Sequence, residues 1–434
     1  MRKLLLFLVL GLMIFPNVVF AQDDITIELW HIQNTDPGPQ LFASAIERYQ
    51  ADHPNVTIDA IAMQNDPYKQ RIRTAIGAGD EPCVFMSWGG GPMLEYVDAG
   101  TIIPLTSYFE TRIPSYYDGD NYMDYFMPAG FSNVTAPDGE VYGVPVENVS
   151  VAVFYYDKQI FAEYGLEPPT TMSELDAIVQ TLIDNGIAPF SLAGASKWPS
   201  SMYYMYLVDR LAGPGAFADA AARTGSMEAE PFVRAGEIIQ NWVEMGAFVD
   251  GFNGLDYDTG QSRIPMYAGQ AAMELMGTWG ISTVKAENPD YYENNLGFFA
   301  FPAIEDGEGD PTAVVGTVGD NYYHISSNCE HPEEAFDFLT YLVDPDGITE
   351  RIEAGRIPPV AGVSERIEDP LLAEVVSMIE NAGSVQLWYD QYLPPELGEV
   401  HKDTMQALFG MAITPEEAAA QQEEALAEYF DSEG

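Results

Sequence analysis

Three times between Ile25 and Gly91 the sequence passes from a short alternating apolar run into a polar or aromatic stop. Ile25–Leu29 stops at Trp30-His31-Ile32-Gln33-Asn34, and Leu41, Phe42, Ala45, Ile46 and Tyr49 then recur at helical spacing. Val56–Met63 stops at Gln64-Asn65-Asp66 and is followed by Tyr68, Ile72 and Ile76; Cys83–Met86 stops at Ser87-Trp88 and three glycines. A period of two marks a strand and a period near 3.6 marks a helix. Consecutive strand–helix units predict an α/β fold with a parallel sheet and right-handed crossovers. Ligands bind such sheets at the carboxyl ends of the strands. Three polar or aromatic endings in register therefore predict a binding rim that includes Trp30, Gln33, Asp66 and Trp88.

The pattern then restarts. Gly143–Asp157 is rich in β-branched residues and reads as a strand, yet it opens on Pro145, Glu147 and Asn148. It is read as a first passage between two lobes, with a cleft at the passage. Thr171 and Glu174 have capping-box spacing ahead of a helix. Ile187–Leu192 reads as a strand with Lys197-Trp198-Pro199 beyond it, and Ala271–Met276 as one ending at Gly277-Thr278-Trp279. Phe232, Ala235, Ile238, Ile239 and Trp242 form a helical stripe, which makes Trp242 core. Leu296–Phe301 and Tyr322–Ser326 read as further strands around Gly319-Asp320-Asn321, a second passage, and Gly355-Arg356-Ile357-Pro358-Pro359 marks a third. The stretch from Gly100 to Asn133 is rich in Tyr, Asp and Pro and has no clear period.

The chain has 434 residues, room for two or three domains. The expected organisation is a leader over 1–21, one lobe of 25–145 plus 312–350, and a second of 146–311 plus 351–434. Met1–Ala21 has Arg2 and Lys3, an apolar run and Val19-Phe20-Ala21, which predicts a cleaved secretory signal peptide and an extracytoplasmic location, periplasmic or secreted. No Cys follows the cleavage triplet, so no lipid anchor is expected there. A formal charge of −49 with only 18 Lys and Arg argues against nucleic acid and anionic membrane surfaces. Cys83 and Cys329 suit either a disulfide or two buried thiols.

Catalytic patterns are not seen. The five His residues lack metal spacing, Ser87-Trp88-Gly89-Gly90-Gly91 lacks the Lys of a phosphate loop, and no nucleophile elbow occurs. No enzyme activity, metal or cofactor is expected. A secreted glycosidase remains the enzymatic alternative, since it too would use aromatics and paired carboxylates.

Ordered motifs carry a resemblance. Leu29-Trp30-His31, Gly100–Leu105, Tyr142–Val146, Ala268–Gly280, His331–Leu339 and Asp390–Pro395 occur in the order seen in the family-1 extracellular solute-binding proteins of ABC importers. The whole mature chain resembles their maltose-binding-like, sugar-recognising cluster. The resemblance implies a two-lobed periplasmic-binding-protein fold, type II-like, with three interlobe crossings. It also implies a monomer that closes on a carbohydrate and delivers it to the permease subunits.

The residue types fit that chemistry. A pyranose offers apolar C–H faces to aromatic planes and hydroxyls to carboxylates and amides. Trp30, Trp88, Trp198 and Trp279 would supply planes; Gln33, Asp66, Glu147, Asp320 and Asp390 would supply acceptors. Other roles suit several of these. Trp30 and Trp88 also suit plugs at a lobe edge, Glu147 an exposed hinge, Asp320 a turn, and Arg356 a surface ion pair. Among Trp388, Tyr389 and Asp390 the sequence does not choose a ligand-facing residue. A cationic solute such as a polyamine would also suit aromatics and carboxylates. Anionic solutes are not expected, because the rim read from the sequence offers almost no Lys or Arg.

Overall fold

A computed structural model describes residues 24–433. The leader expected over 1–21 lies outside the described residues. Two sheets organise the chain. The first contains β1 (Ile25–His31), β2 (Val56–Ala62), β3 (Val84–Ser87) and β9 (Tyr322–Ile325) in the order β2-β1-β3-β9. Strands β1, β2 and β3 are parallel, as the repeated strand–helix pattern requires, and β9 joins antiparallel to β3. The intervening helices are α1 (Gly38–Asp52) and α2 (Asn65–Ala78), with α3 (Gly90–Asp98) after β3.

The second sheet is built on β4 (Asn148–Asp157), whose first half pairs with β8 (Val314–Asp320) and whose second half pairs with β6 (Ala271–Gly277) and β7 (Leu296–Phe299). Its order is β10-β8-β4-β6-β5, with β5 at Ala188–Ser191 and β10 at Val385–Gln386. Nine of the ten β4 residues are buried, which explains why the strand reads as a continuous apolar run rather than as a clean alternation.

The molecule is thus a two-domain α/β protein. Val144 still bridges Tyr323 of the first sheet, and Asn148 already pairs with Asp320 of the second, so the chain changes sheets at Val146–Glu147. It returns at Asn321, whose φ is 57°. Of the residues expected with the first lobe, Val314–Asp320 forms β8 of the second sheet. Gly316 and Gly319 hid this strand from a propensity reading. Gly316 is required there, because a Cβ would overlap the Ser150 carbonyl of β4.

Local chemistry fixes the helix starts. The Thr171 hydroxyl accepts from the Glu174 N–H, and Glu174 reaches back to the Thr171 N–H, a full capping box. Thr414 and Glu417 make the same reciprocal pair before the final helix, Pro415–Glu433. Trp242 is 2% exposed and donates to Asp176 at 2.9 Å, as its place in the helical stripe predicts. The Tyr-rich stretch without a period forms short helical turns held by rings: Phe109, Tyr122, Phe126 and Phe131 pack within 6.1 Å of one another in a chain of contacts. Cys83 and Cys329 form a disulfide across the β3–β9 edge. No helix among the described residues is long and apolar enough to cross a membrane.

Candidate functional site

A cavity of ≈ 170 Å³ opens between the two sheets. Its walls come from strand ends and helix starts of both domains. Gln33 follows β1, Trp88 follows β3, and Glu147 and Asn148 lead into β4. Asp320 closes β8, and Trp279 follows β6. Asn65, Trp198 and Trp279 each stand at the first position of a helix, so three helix N-termini face the cavity. Their first N–H groups lack intrahelical partners and, with the aligned dipoles, favour anionic groups nearby.

One wall is aromatic. Trp279 makes edge contacts with Trp198 at 5.7 Å and with Trp388 at 6.0 Å, and Trp198 continues to Tyr257 at 5.0 Å. Gly277 makes room for it: a Cβ there would overlap three carbons of the Trp279 indole, so only glycine lets the ring fold back over β6. Across the cavity stands Trp88, held edge-on by Tyr68 at 6.1 Å with the Lys69 ammonium 4.8 Å from its ring centre.

The floor is a buried ionic cluster. Glu147, 1% exposed, accepts from Arg356 at 2.7 Å and from the Tyr323 hydroxyl at 3.0 Å. Arg356 also donates to Gln33 at 2.7 Å, tying the β1 loop to the segment after the helix Pro345–Glu353. Arg351 is fully buried 4.0 Å from Glu147, and burial lowers its pKa. His31 lies beside the same cluster, and burial lowers it to about 4, so the imidazole is neutral.

The carboxylates differ in environment. Burial pushes Asp320 up to about 6 against hydrogen bonds from the Ser150 hydroxyl and the Asn321 N–H, with Glu147 and Asp390 pushing the same way as burial. Burial also raises Asp258, which accepts from the Asn65 N–H at 3.2 Å, a bond across the cleft onto the start of α2. Lys69 is lowered by burial first and by Lys402 second.

Of the nine residues expected at the site, Gln33, Trp88, Glu147, Trp198, Trp279, Asp320 and Asp390 line this one cavity. Trp30 and Asp66 do not. Trp30 sits inside the β1 ladder, opposite Ile61 and Phe85, because the strand runs on to His31 rather than stopping at Trp30. Its indole donates to Glu28 at 2.7 Å, and the Arg71 guanidinium caps its ring at 4.0 Å. Its ring packs within the first body and does not line the cavity. Asp66 is exposed in the first turn of α2, where its neighbour Asn65 takes the lining position. Glu147 is buried rather than an exposed hinge residue, and Arg356 is its buried partner. Lys69, Tyr257 and Asp258 line the cavity without having been singled out, Trp388 and Asp390 line it from the trio the sequence left open, and Lys69 and Arg356 correct the expectation of a rim with almost no cations. Among the described residues no cluster of His, Cys, Asp and Glu could hold a metal ion.

The model of the bacterial extracellular solute-binding protein family matches residues 33–348. The chain belongs to that family. This solute-binding protein is 23% identical over 360 residues to the multiple sugar-binding protein of Streptococcus mutans, covering 81% of this chain and 79% of the relative. It is 22% identical over 372 residues to an uncharacterized ABC transporter extracellular-binding protein of Pyrococcus horikoshii, covering 82% and 76%. Among solved structures, one from work on xylan utilization by Caldanaerobius polysaccharolyticus superposes with a TM-score of 0.84 at 29% identity, over 92% of this chain and 99% of that one.

Proposed function

We propose that this solute-binding protein captures a neutral carbohydrate in the cavity between its domains and hands it to the permease of an ABC importer. One observation carries the reading: an unbroken aromatic wall, Trp198–Trp279–Trp388, faces a rim of carboxylates and amides. Indole faces take the C–H faces of a pyranose, while Asp320, Asp390 and Gln391 take and give hydroxyl hydrogen bonds. Relatives named for sugar binding and xylan utilization support the same solute class. The leader at 1–21 would export the chain, which works as a monomer.

Three crossings, at Val146–Glu147, at Asn321 and near Arg356, act as the hinge. The first lobe is the body around β1, β2, β3 and β9, and the second is the body around β4. A solute that touches both shifts the population toward the closed form, which the permease reads.

The test is a thermal-shift panel of neutral sugars, polyamines and sugar phosphates. At a hundred times its dissociation constant a ligand adds about 2.7 kcal/mol, an easily read shift. Stabilisation by neutral sugars supports the proposal. Stabilisation by polyamines alone would replace it with a cation-binding role, which the half-buried Asp258 and the buried Asp320 would also suit.

A further inference from the structure

We infer that Glu274, a buried carboxyl behind the aromatic wall, regulates solute capture: its protonated form keeps Trp198 and Trp279 in their present seating, and its ionisation loosens them. The inference rests on the reading of that wall as the solute's seat. Glu274 lies in β6 ahead of Gly277, over which the Trp279 ring folds, and it does not itself line the cavity. Across the sheet it pairs with Tyr155 of β4 and Ser191 of β5. It is 5% exposed, and its Oε1 has no hydrogen-bond partner among the described residues.

One cation serves two carboxylates here. Arg263 belongs to the short helix Arg263–Tyr267, which packs on β5 and β6. It is 4% exposed and donates twice to Glu287, at 2.8 and 2.6 Å. Glu287 is exposed and accepts from the Tyr267 hydroxyl at 2.9 Å as well, so this ion pair is complete without Glu274. A buried carboxyl left outside such a pair keeps its proton, because ionisation would set an unbalanced charge in the interior. The other titratable groups acting on it are phenols: Tyr155 of β4, Tyr203 of the helix Trp198–Ala212, Tyr257, Tyr267, and Tyr291 of the helix Pro289–Asn294. Burial raises all five, so they stay neutral. Burial likewise pushes Glu274 up to about 7, with the Ser262 hydroxyl and Arg263 acting against it and Glu287 acting with it.

The same guanidinium holds the wall from behind. It lies 4.8 Å from the Tyr257 ring centre and donates to the Tyr257 carbonyl at 3.2 Å, and Tyr257 meets Trp198 at 5.0 Å. Its partner Glu287 ends the helix that Trp279 begins. An ionised Glu274 draws Arg263 toward β6, and that movement slackens Tyr257 and the Trp279 helix together. The folded packing binds this proton more tightly than a free carboxyl does, so ionisation above about 7 works against the packing. Solute affinity therefore falls as pH rises through that window.

The experiment follows tryptophan emission of the purified, solute-free protein from pH ~5 to ~9. Asp320, which titrates at about 6 beside the cavity, gives a lower step in every variant. The wild type is expected to show a second step near 7 that is lost in Glu274→Gln, with an unchanged melting temperature near pH ~5 reporting an intact fold. Glu287→Gln, at an exposed position, is expected to move that step to lower pH, because it removes a like charge and frees Arg263 for Glu274. Calorimetric titration with xylobiose, cellobiose and maltose near pH ~8 then reads capture: the wild type should bind the sugar it accepts at least about threefold more weakly than Glu274→Gln does. A step near 7 that survives in Glu274→Gln, that stays in place in Glu287→Gln, or that is missing from the wild type overturns the inference. If Glu274→Gln does not fold, the response of Glu287→Gln decides. A step in emission with equal sugar affinity in both proteins overturns the regulation of capture. Absence of heat with all three sugars, together with binding of a non-sugar, overturns the carbohydrate reading instead, and the emission steps still decide the role of Glu274.

Discussion

Gly277→Ala is the sharpest perturbation of the aromatic wall, because it adds one methyl group and removes nothing. The new Cβ would sit on three carbons of the Trp279 ring, well inside the ~3.5–4.0 Å contact distance of carbon atoms. The backbone of Gly277 lies in β6 paired with Ala152, so the substitution acts through the ring alone. Either the ring stays and the overpacking costs about 1–3 kcal/mol, or it swings away. Swinging forfeits the edge contacts to Trp198 and Trp388, each worth about 0.5–1.5 kcal/mol, which sums to the same range. A double-mutant cycle with Trp279→Ala, read by urea denaturation, separates this from any effect on the strand. In the wild-type background Gly277→Ala should cost about 1–3 kcal/mol. In the Trp279→Ala background it should be neutral, or stabilise by up to about 1 kcal/mol, because a glycine has been removed from a strand. Sugar affinity should fall about tenfold in Gly277→Ala, with a shifted tryptophan emission. An equal cost in both backgrounds would refute the claim that Gly277 exists to seat the indole.

Glu147→Ala should destabilise the protein by about 3–5 kcal/mol in chemical denaturation, because it strands the buried cations Arg351 and Arg356; a loss within measurement error would show that Glu147 does not neutralise them. Asp320 titrates at about 6 in the folded protein, above its ordinary 3.8, so the folded state binds more protons and this group lowers stability as pH rises through that window. Asp320→Asn should therefore raise the melting temperature near pH ~8 and change it little near pH ~4, and an equal shift at both pH values in calorimetric scans would count against a buried, desolvated carboxylate.

Much of the fold is legible because local pattern and tertiary environment agree. The strand–helix repeat gave β1, β2 and β3 with their parallel pairing, and capping chemistry at Thr171 and Thr414 gave helix starts. The rule that ligands meet strand ends placed Trp88 and Trp279 at the cavity. The same rule failed at Trp30, because a polar successor does not end a strand whose backbone is still paired on both sides. It missed Asn65 by one residue, since a step along a helix turns the side chain by about 100°. Tyr257 and Asp258 reach the cavity only through packing between elements far apart in sequence, which no local period records. The strand β8 was veiled by two glycines whose purpose, close approach to β4 in the case of Gly316, is visible only in three dimensions.

The disulfide between Cys83 and Cys329 has a topological corollary, since the two residues are separated by 246 positions. The whole excursion of the chain from Asn148 to Asp320 lies inside that covalent ring. Most of the second body is therefore an insertion whose entry and exit are both stitched to the first. The covalent link closes the chain within the first body, around the whole of that insertion.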